Sequence, residues 1–279
     1  MTQTQIVIDS IKGTEMSIKD ISNTTGIKEP NVRRILWEWT KQWVFTRVSK
    51  WIYTITIGDK TKAIIKCWDS LKDIKKLKNS NYKFDMVFLD IPYKTVAVTG
   101  GNRWVKYNLI TPIEFKEFLE DLKQVIKPTT HIYYMYSNAP SWWKQMEVYN
   151  NLFKELWYKL QAEWWWQKLF KNWKKCSNMR WDIMKREWLA LYSLNNIETN
   201  WLVMDYESIR PRTASEKCLL MWKQLVRQST KIWDRILDPF AWTWMIWEAA
   251  LSLLRSVMIF EKSEERVIWE ILPRLQKLI

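Results

Sequence analysis

The chain has 279 residues, 47% of them hydrophobic, and carries 44 Lys and Arg against 30 Asp and Glu for a net charge of +14. That length holds one large core plus a small appended module, and cations spread along the whole chain point to a polyanionic partner. No apolar run nears the ~18 residues of a membrane span and no signal-peptide core opens the sequence; three unclustered cysteines (Cys67, Cys176, Cys218) and the lone His131 argue against a disulfide framework or a zinc or iron site and predict a reducing, cytoplasmic compartment.

Residues 4–11 (TQIVIDSI) have helical apolar spacing. Ser17 opens a short helix with Asp20 three residues on, a capping box. Gly26 makes a turn, and Glu29-Pro30-Asn31-Val32-Arg33-Arg34 begins a further helix with Pro in its first turn. Val44–Val48 and Ile52–Ile55 then alternate around Ser49-Lys50-Trp51 like a hairpin. The whole resembles a winged helix-turn-helix over residues 1–57. Asn31, Arg33 and Arg34 would face a DNA groove, and Arg47 and Lys50 the phosphates. Small winged helices also serve as dimerisation or docking modules, so that alternative stays open.

Residues 58–279 alternate strand and helix. Lys62–Cys67 reads as a strand ending at Trp68-Asp69, and Ser70–Leu77 as a helix. Asp85–Leu89 is a buried strand running into Asp90-Ile91-Pro92-Tyr93. A helix over Thr111–Val125 precedes a strand at His131–Tyr136, and a helix over Trp142–Leu160 precedes strands near Glu163–Leu169 and Trp188–Ser193. Ser215–Ser229 is helical, Arg235–Leu237 a strand, Met245–Leu254 a helix and Ser256–Phe260 a strand, with a last helix from Ser263. Such alternation predicts a doubly wound, mostly parallel sheet with helices on both faces.

Two predicted strand ends carry the chemistry. Asp90-Ile91-Pro92-Tyr93 is similar to the Asp-Pro-Pro-Tyr motif of methyltransferases acting on exocyclic amines. Asp238-Pro239-Phe240-Ala241-Trp242-Thr243-Trp244 resembles their S-adenosylmethionine loop, with Trp in two glycine positions. Ala214-Ser215-Glu216-Lys217 before that loop and Glu261 after the next strand add to the likeness. Over residues 62–279 the chain resembles the β class of DNA amino-methyltransferases, in which the catalytic loop precedes the cofactor loop. The resemblance implies a Rossmann-like fold, circularly permuted so that the strand ending at Asp69 is third in the cofactor half. It also implies S-adenosylmethionine as cofactor and DNA as substrate, and allows for a homodimer and a restriction partner.

In that family Asp90 and the Ile91 carbonyl would each accept a hydrogen from the target amine, Pro92 would hold Ile91 extended, and Tyr93 would stack on the flipped base. Asp238 to Trp244 would curve around the methionine end, Glu261 would take the ribose hydroxyls and Asp69 the adenine amine. Glu216 and Lys217 match a Glu-Lys-Pro sequence closing the methionine pocket, although Cys218 replaces Pro and both charges also suit an ordinary helix start. Arg103, in the loop Lys94–Leu109, would share target recognition with Asn195–Arg212 and the N-terminal module. N6-adenine is the expected target. Cytosine N4 and a DNA-binding regulator with an inactive methyltransferase fold are the alternatives; C5-cytosine chemistry is disfavoured because no Pro-Cys nucleophile is present.

One anomaly runs through the chain. It has 5 Gly and 22 Trp, where ordinary usage would put Gly at about 7%, roughly 20 residues. Trp stands where small or positive-φ residues belong: Trp51, Trp68, Trp173 and Trp233 as well as Trp242 and Trp244. The expectation is that many of these tryptophans are glycines, read through a genetic code that assigns UGA differently. A truly Trp-rich chain is the alternative.

Overall fold

The computed structural model describes residues 3, 6–7, 18–32, 34–35, 44–49, 52–57, 61–80, 82–91, 110–137, 143–167, 186–197, 219–241, 245–267, 271–272 and 275. Along them run α1 (Ile18–Thr25), β1 (Val44–Ser49), β2 (Ile52–Ile57), β3 (Thr61–Lys66), α2 (Ser70–Asp73) with a 3-10 turn at Ile74–Leu77, and β4 (Phe84–Leu89). Then come α3 (Pro112–Lys123), β5 (Ile126–Ser137), α4 (Trp143–Glu155), β6 (Lys159–Gln167) and β7 (Arg186–Ser193). The last are α5 (Leu219–Ser229), β8 (Arg235–Asp238), α6 (Met245–Ser252), β9 (Ser256–Phe260) and α7 (Glu264–Arg266). No described helix is long and apolar enough to cross a membrane.

The described strands form one sheet in the order β1-β2-β3-β9-β8-β4-β5-β7-β6. Its central five strands, β3 to β5 in space, are mutually parallel, while β1-β2-β3 and β5-β7-β6 are antiparallel. The fold is Rossmann-like and doubly wound. Sequence order reverses where β8 meets β4, and crevices at such switch points are where doubly wound sheets bind ligands.

Strand periodicity divides the core into two layers. On β4, Met86 and Phe88 point into the layer formed with Trp222, Leu225 and Val226 of α5 and Ile246 and Ala250 of α6. Val87 and Leu89 point the other way, into Phe115, Phe118 and Leu119 of α3 and Phe153 of α4, and Phe84 joins them because the strand register shifts between Phe84 and Met86. Side chains two apart share a face of the sheet, so one apolar run serves both layers. Helix α3 starts where expected: Thr111 caps it, its side chain taking the Glu114 N–H at 3.2 Å while Glu114 accepts the Thr111 N–H at 2.8 Å. Arg255, 4% exposed, ties two helix ends together. Its guanidinium donates to the Thr230 carbonyl at 2.8 Å and to the Leu253 carbonyl at 2.5 Å, which suits a cation beside helix C-termini.

Two boundaries differ from the sequence reading. The helix expected to reach Leu160 stops at Glu155, because Trp157 takes φ 62° and the chain turns into β6 at Lys159. The hairpin at 44–57 forms, with Ser49 paired to Ile52, but it is not a free wing. All six residues of β2 pair with β3, so the boundary drawn at residue 57 cuts through a continuous hydrogen-bonded ladder. Alternating Ile and Thr made β2 legible as a strand, but its second neighbour lies in what was read as the next domain.

The helical residues ahead of the hairpin make their own small core of Val7, Ile21, Ile27, Val32 and Ile35, against which Leu254 packs. Gly26 ends α1 with φ +68°, its N–H on the Ser22 carbonyl at 2.9 Å, and the chain is helical again at residues 29–32 and 34–35. Asn31 and Arg34 are exposed, three positions apart and so on one helical face, while Val32 and Ile35 are buried.

Candidate active site at the carboxyl edge of the sheet

Because β3, β9, β8 and β4 are parallel neighbours, their carboxyl ends open on one edge, and each delivers an acid: Asp69 shortly after β3, Glu261 after β9, Asp238 ending β8 and Asp90 after β4. Asp90, Asp238 and Glu261 are 4%, 1% and 8% exposed. Three carboxyl groups this buried on adjacent strands are rare unless something compensates them. They come together from positions as far apart as 90 and 261.

Asp238 accepts the Trp247 indole N–H at 2.6 Å and the Phe240 amide at 3.2 Å. Burial pushes its carboxyl up to about 8; the hydrogen bonds from Trp247 and Phe240 pull against that rise, and the charges of Asp90 and Glu261 add to it. Its folded pKa therefore lies above the unfolded value of about 4, and the folded state holds a proton that the unfolded chain releases across this window. The sign follows: stability falls as pH rises from about 4 to about 8. Asp238→Asn is expected to flatten that part of the curve. Urea midpoints at about pH 5 and pH 8 measure it; the same slope in both proteins would assign the titration to another group.

Glu261 has both oxygens engaged, one by the Ser263 amide at 2.9 Å and the other by Arg266 at 2.6 Å. Asp69 caps α2 by accepting the Leu71 amide at 3.2 Å and pairs with Lys262 at 2.9 Å. Lys66, at the end of β3, sits over the Trp68 ring at 3.7 Å, and burial together with the nearby Lys76 lowers its ammonium to about 8.

The loops carrying these acids are stitched to one another. The Ser70 hydroxyl donates to the Pro239 carbonyl, the Ala241 amide to the Phe260 carbonyl at 3.3 Å, and the Glu261 amide to the Lys66 carbonyl at 3.0 Å. The path of residues 239–241 is thus set from both sides. Ile91 is buried at 4% exposure directly after Asp90.

Of the remaining sequence-derived site residues, Pro92, Tyr93, Arg103, Glu216, Lys217, Trp242, Thr243 and Trp244 lie outside the described residues, as do Arg33 and Lys50. Arg47 lies in β1. Sequence reasoning missed the contacts of Trp247, Ser70, Lys262 and Arg266. Arg266 had a local signal, since Ser263 as a helix cap puts it in the first turn facing back to Glu261. Ser70 and Lys262 meet partners 169 and 193 positions away, and Trp247 reaches across nine residues from the next helix; none of the three left a signal.

No family model matches the chain, and no curated protein matches it. Solved structures do. The crystal structure of M1.HpyAVI is 17% identical with a TM-score of 0.52, covering 72% of this chain and 92% of that one. The M1.HpyAVI–SAM complex is 15% identical with a TM-score of 0.53, covering 77% and 98%. PvuII DNA methyltransferase (cytosine-N4-specific) follows at a TM-score of 0.47 and 14% identity, covering 75% and 87%. The chain shares with M1.HpyAVI a Rossmann-like α/β fold.

Proposed function

We propose that the protein is an S-adenosylmethionine-dependent DNA methyltransferase acting on the N6 amine of adenine. The observation that supports this most is the set of acids on the switch-point edge, with Asp90 directly after β4 and Asp238 at the end of β8 flanking the point where strand order reverses. Counting β8 as first, β9 as second and β3 as third, the sheet reads 3-2-1-4-5-7-6, the order expected of a methyltransferase permuted so that its third strand comes early. The likeness to a structure solved as a SAM complex fits the same reading.

S-adenosylmethionine supplies a methyl group activated on a sulfonium. On the donor side, Asp238 to Ala241 and the positions through 244 would line the methionine end, with glycine at 242 and 244 letting backbone approach closely. Glu216 and Lys217 would close that end. Glu261 would accept the ribose hydroxyls, with Arg266 shifting to share its carboxylate, and Asp69 would meet the adenine amine. The fit rests on chemistry already at this edge: acceptors for two hydroxyls and an amine from neighbouring strands, with the aromatic Phe260 ending β9 between them.

On the substrate side, an aromatic amine is a weak nucleophile because its lone pair is delocalised into the ring. Asp90 would accept one amine hydrogen and the Ile91 carbonyl the other, turning the lone pair toward the methyl group, while Tyr93 stacks on the flipped base. Native protein incubated with DNA and labelled donor, followed by nucleoside chromatography, tests this. Label in N6-methyladenine is expected. Label in N4-methylcytosine would establish the cytosine reading, and bound donor with no labelled base the inactive regulator.

For DNA, Asn31, Arg33 and Arg34 on the N-terminal helices would enter a groove, with Arg47, Lys50 and Arg103 on phosphates. Deleting residues 1–40 is expected to weaken DNA binding and to cut its salt slope by about 1 for each phosphate the shortened protein no longer reaches, leaving donor affinity intact. The cut stops short of β1 because removal through 57 would strip β2 from β3 and bare a sheet edge. Unchanged sites and salt dependence after this deletion would make the module a docking element and the Lys94–Leu109 loop the reader.

A further inference from the structure

We propose that Trp157 and Trp233 are glycine in the protein as its own cell makes it. The inference adds Trp157 to the recoding reading, which already named Trp233, and it rests on backbone geometry away from residues 242 and 244, so it holds whether or not the chain transfers methyl groups. Among the described residues, three that are not glycine have positive φ: Trp157 at 62°, Trp233 at 74° and Leu254 at 62°. A side chain in this region crowds its own carbonyl, and bulky residues are rarely found there.

Each tryptophan occupies a position where a recurring turn demands glycine. Trp157 follows α4, with its N–H on the Lys154 carbonyl at 2.9 Å and the next amide, Tyr158, on the Phe153 carbonyl at 2.9 Å. That is a Schellman helix end, whose left-handed residue is usually glycine. The Trp157 side chain is 82% exposed, so little packing compensates the strain. Trp233 is the third residue of a four-residue turn closed by the Asp234 amide on the Lys231 carbonyl at 3.1 Å. With positive φ at its third position, this is the turn that requires glycine or asparagine there. The Lys231 amide on the Asp234 carboxylate at 2.7 Å and the Trp233 amide on the Leu254 carbonyl at 3.0 Å hold that conformation from both sides.

Leu254 shows what a tolerated exception looks like: its side chain packs against the N-terminal apolar cluster. The composition points the same way from another direction. A codon read as glycine by the cell but written here as tryptophan accounts at once for 22 Trp, 5 Gly and an indole at two glycine turns.

Tandem mass spectrometry of peptides spanning 157 and 233, from protein purified from its own cells, tests the inference. Glycine masses at both positions are expected, and tryptophan at either overturns it. Glycine at 157 and 233 with tryptophan at 242 and 244 would leave this inference standing and sink the cofactor-loop reading instead. A second measurement uses the chain expressed with tryptophan as written. Trp157→Gly should be more stable than Trp157→Ala by about tenfold in the unfolding constant, since alanine keeps the Cβ that left-handed backbone disfavours, and the same holds at Trp233. At Trp164, in β6, the order should reverse, because glycine weakens a strand. Equal stabilities of the glycine and alanine variants at 157 and 233 would overturn the geometric basis.

Discussion

Replacing Trp242 and Trp244 together by glycine, in the chain expressed as written, is expected to raise affinity for S-adenosylmethionine at least ~100-fold, about 2.8 kcal/mol. The effect is large because the loop has little freedom to adapt. Its first residues are pinned by Ser70 on the Pro239 carbonyl and by the Ala241 amide on Phe260, and α6 resumes at Met245 with Ile246 and Trp247 buried. Only residues 242 to 244 separate those anchors in the sequence. Two indoles, each a side chain of 150–250 Å², would occupy the space that a donor's methionine end needs, whereas glycine adds no Cβ to the approach. Isothermal titration of the two proteins measures it. Equal affinity of both for the donor would show that the loop accommodates indoles and that the recoding reading fails at these positions.

The second large effect concerns Asp90. In native protein Asp90→Ala is expected to lower methyl transfer by roughly 10²–10⁴-fold, the range for a positioned proton acceptor, while donor affinity stays within a few-fold. The separation follows from where the acids stand. Asp90 directly follows β4, on the far side of the switch point from β8, β9 and β3, which carry the proposed donor contacts. Asp90→Asn keeps the shape and one acceptor oxygen, so it should retain more activity than alanine. Single-turnover rates together with donor titration decide the matter. Loss of donor binding in parallel with activity would move Asp90 into the donor pocket. Its charge also adds to the rise of the Asp238 carboxyl, so the alanine variant should ease that titration without abolishing it, burial being the larger cause.

The acids and loops of the site were legible because each is a short local signal at a strand end: Asp90-Ile91-Pro92-Tyr93 directly after Asp85–Leu89, Asp238–Ala241 directly after Arg235–Leu237, and Glu261 after Ser256–Phe260. Apolar runs of strand length mark buried parallel strands, and a polar residue that breaks such a run marks its end. Thr111 with Glu114 marked a helix start for the same local reason. The end of α4 was misjudged because its stop signal, a left-handed residue, is written as tryptophan. The helical periodicity continued across it, and only the observed φ exposed the break.

What the sequence by itself determined, then, is which residues end strands, which cap helices and in what order two chemical loops follow each other, since these depend on neighbours a few positions away. Tertiary structure alone decided that β2 continues the sheet beside β3, that Trp247 donates to Asp238, that Ser70 fastens the Pro239 carbonyl and that Lys262 pairs with Asp69. Apart from the nine-residue step between Asp238 and Trp247, the partners in the last two pairs are 169 and 193 positions apart. Hydrogen bonds and ion pairs have no sequence period; they form wherever packing of the two apolar layers brings a donor and an acceptor to the same edge.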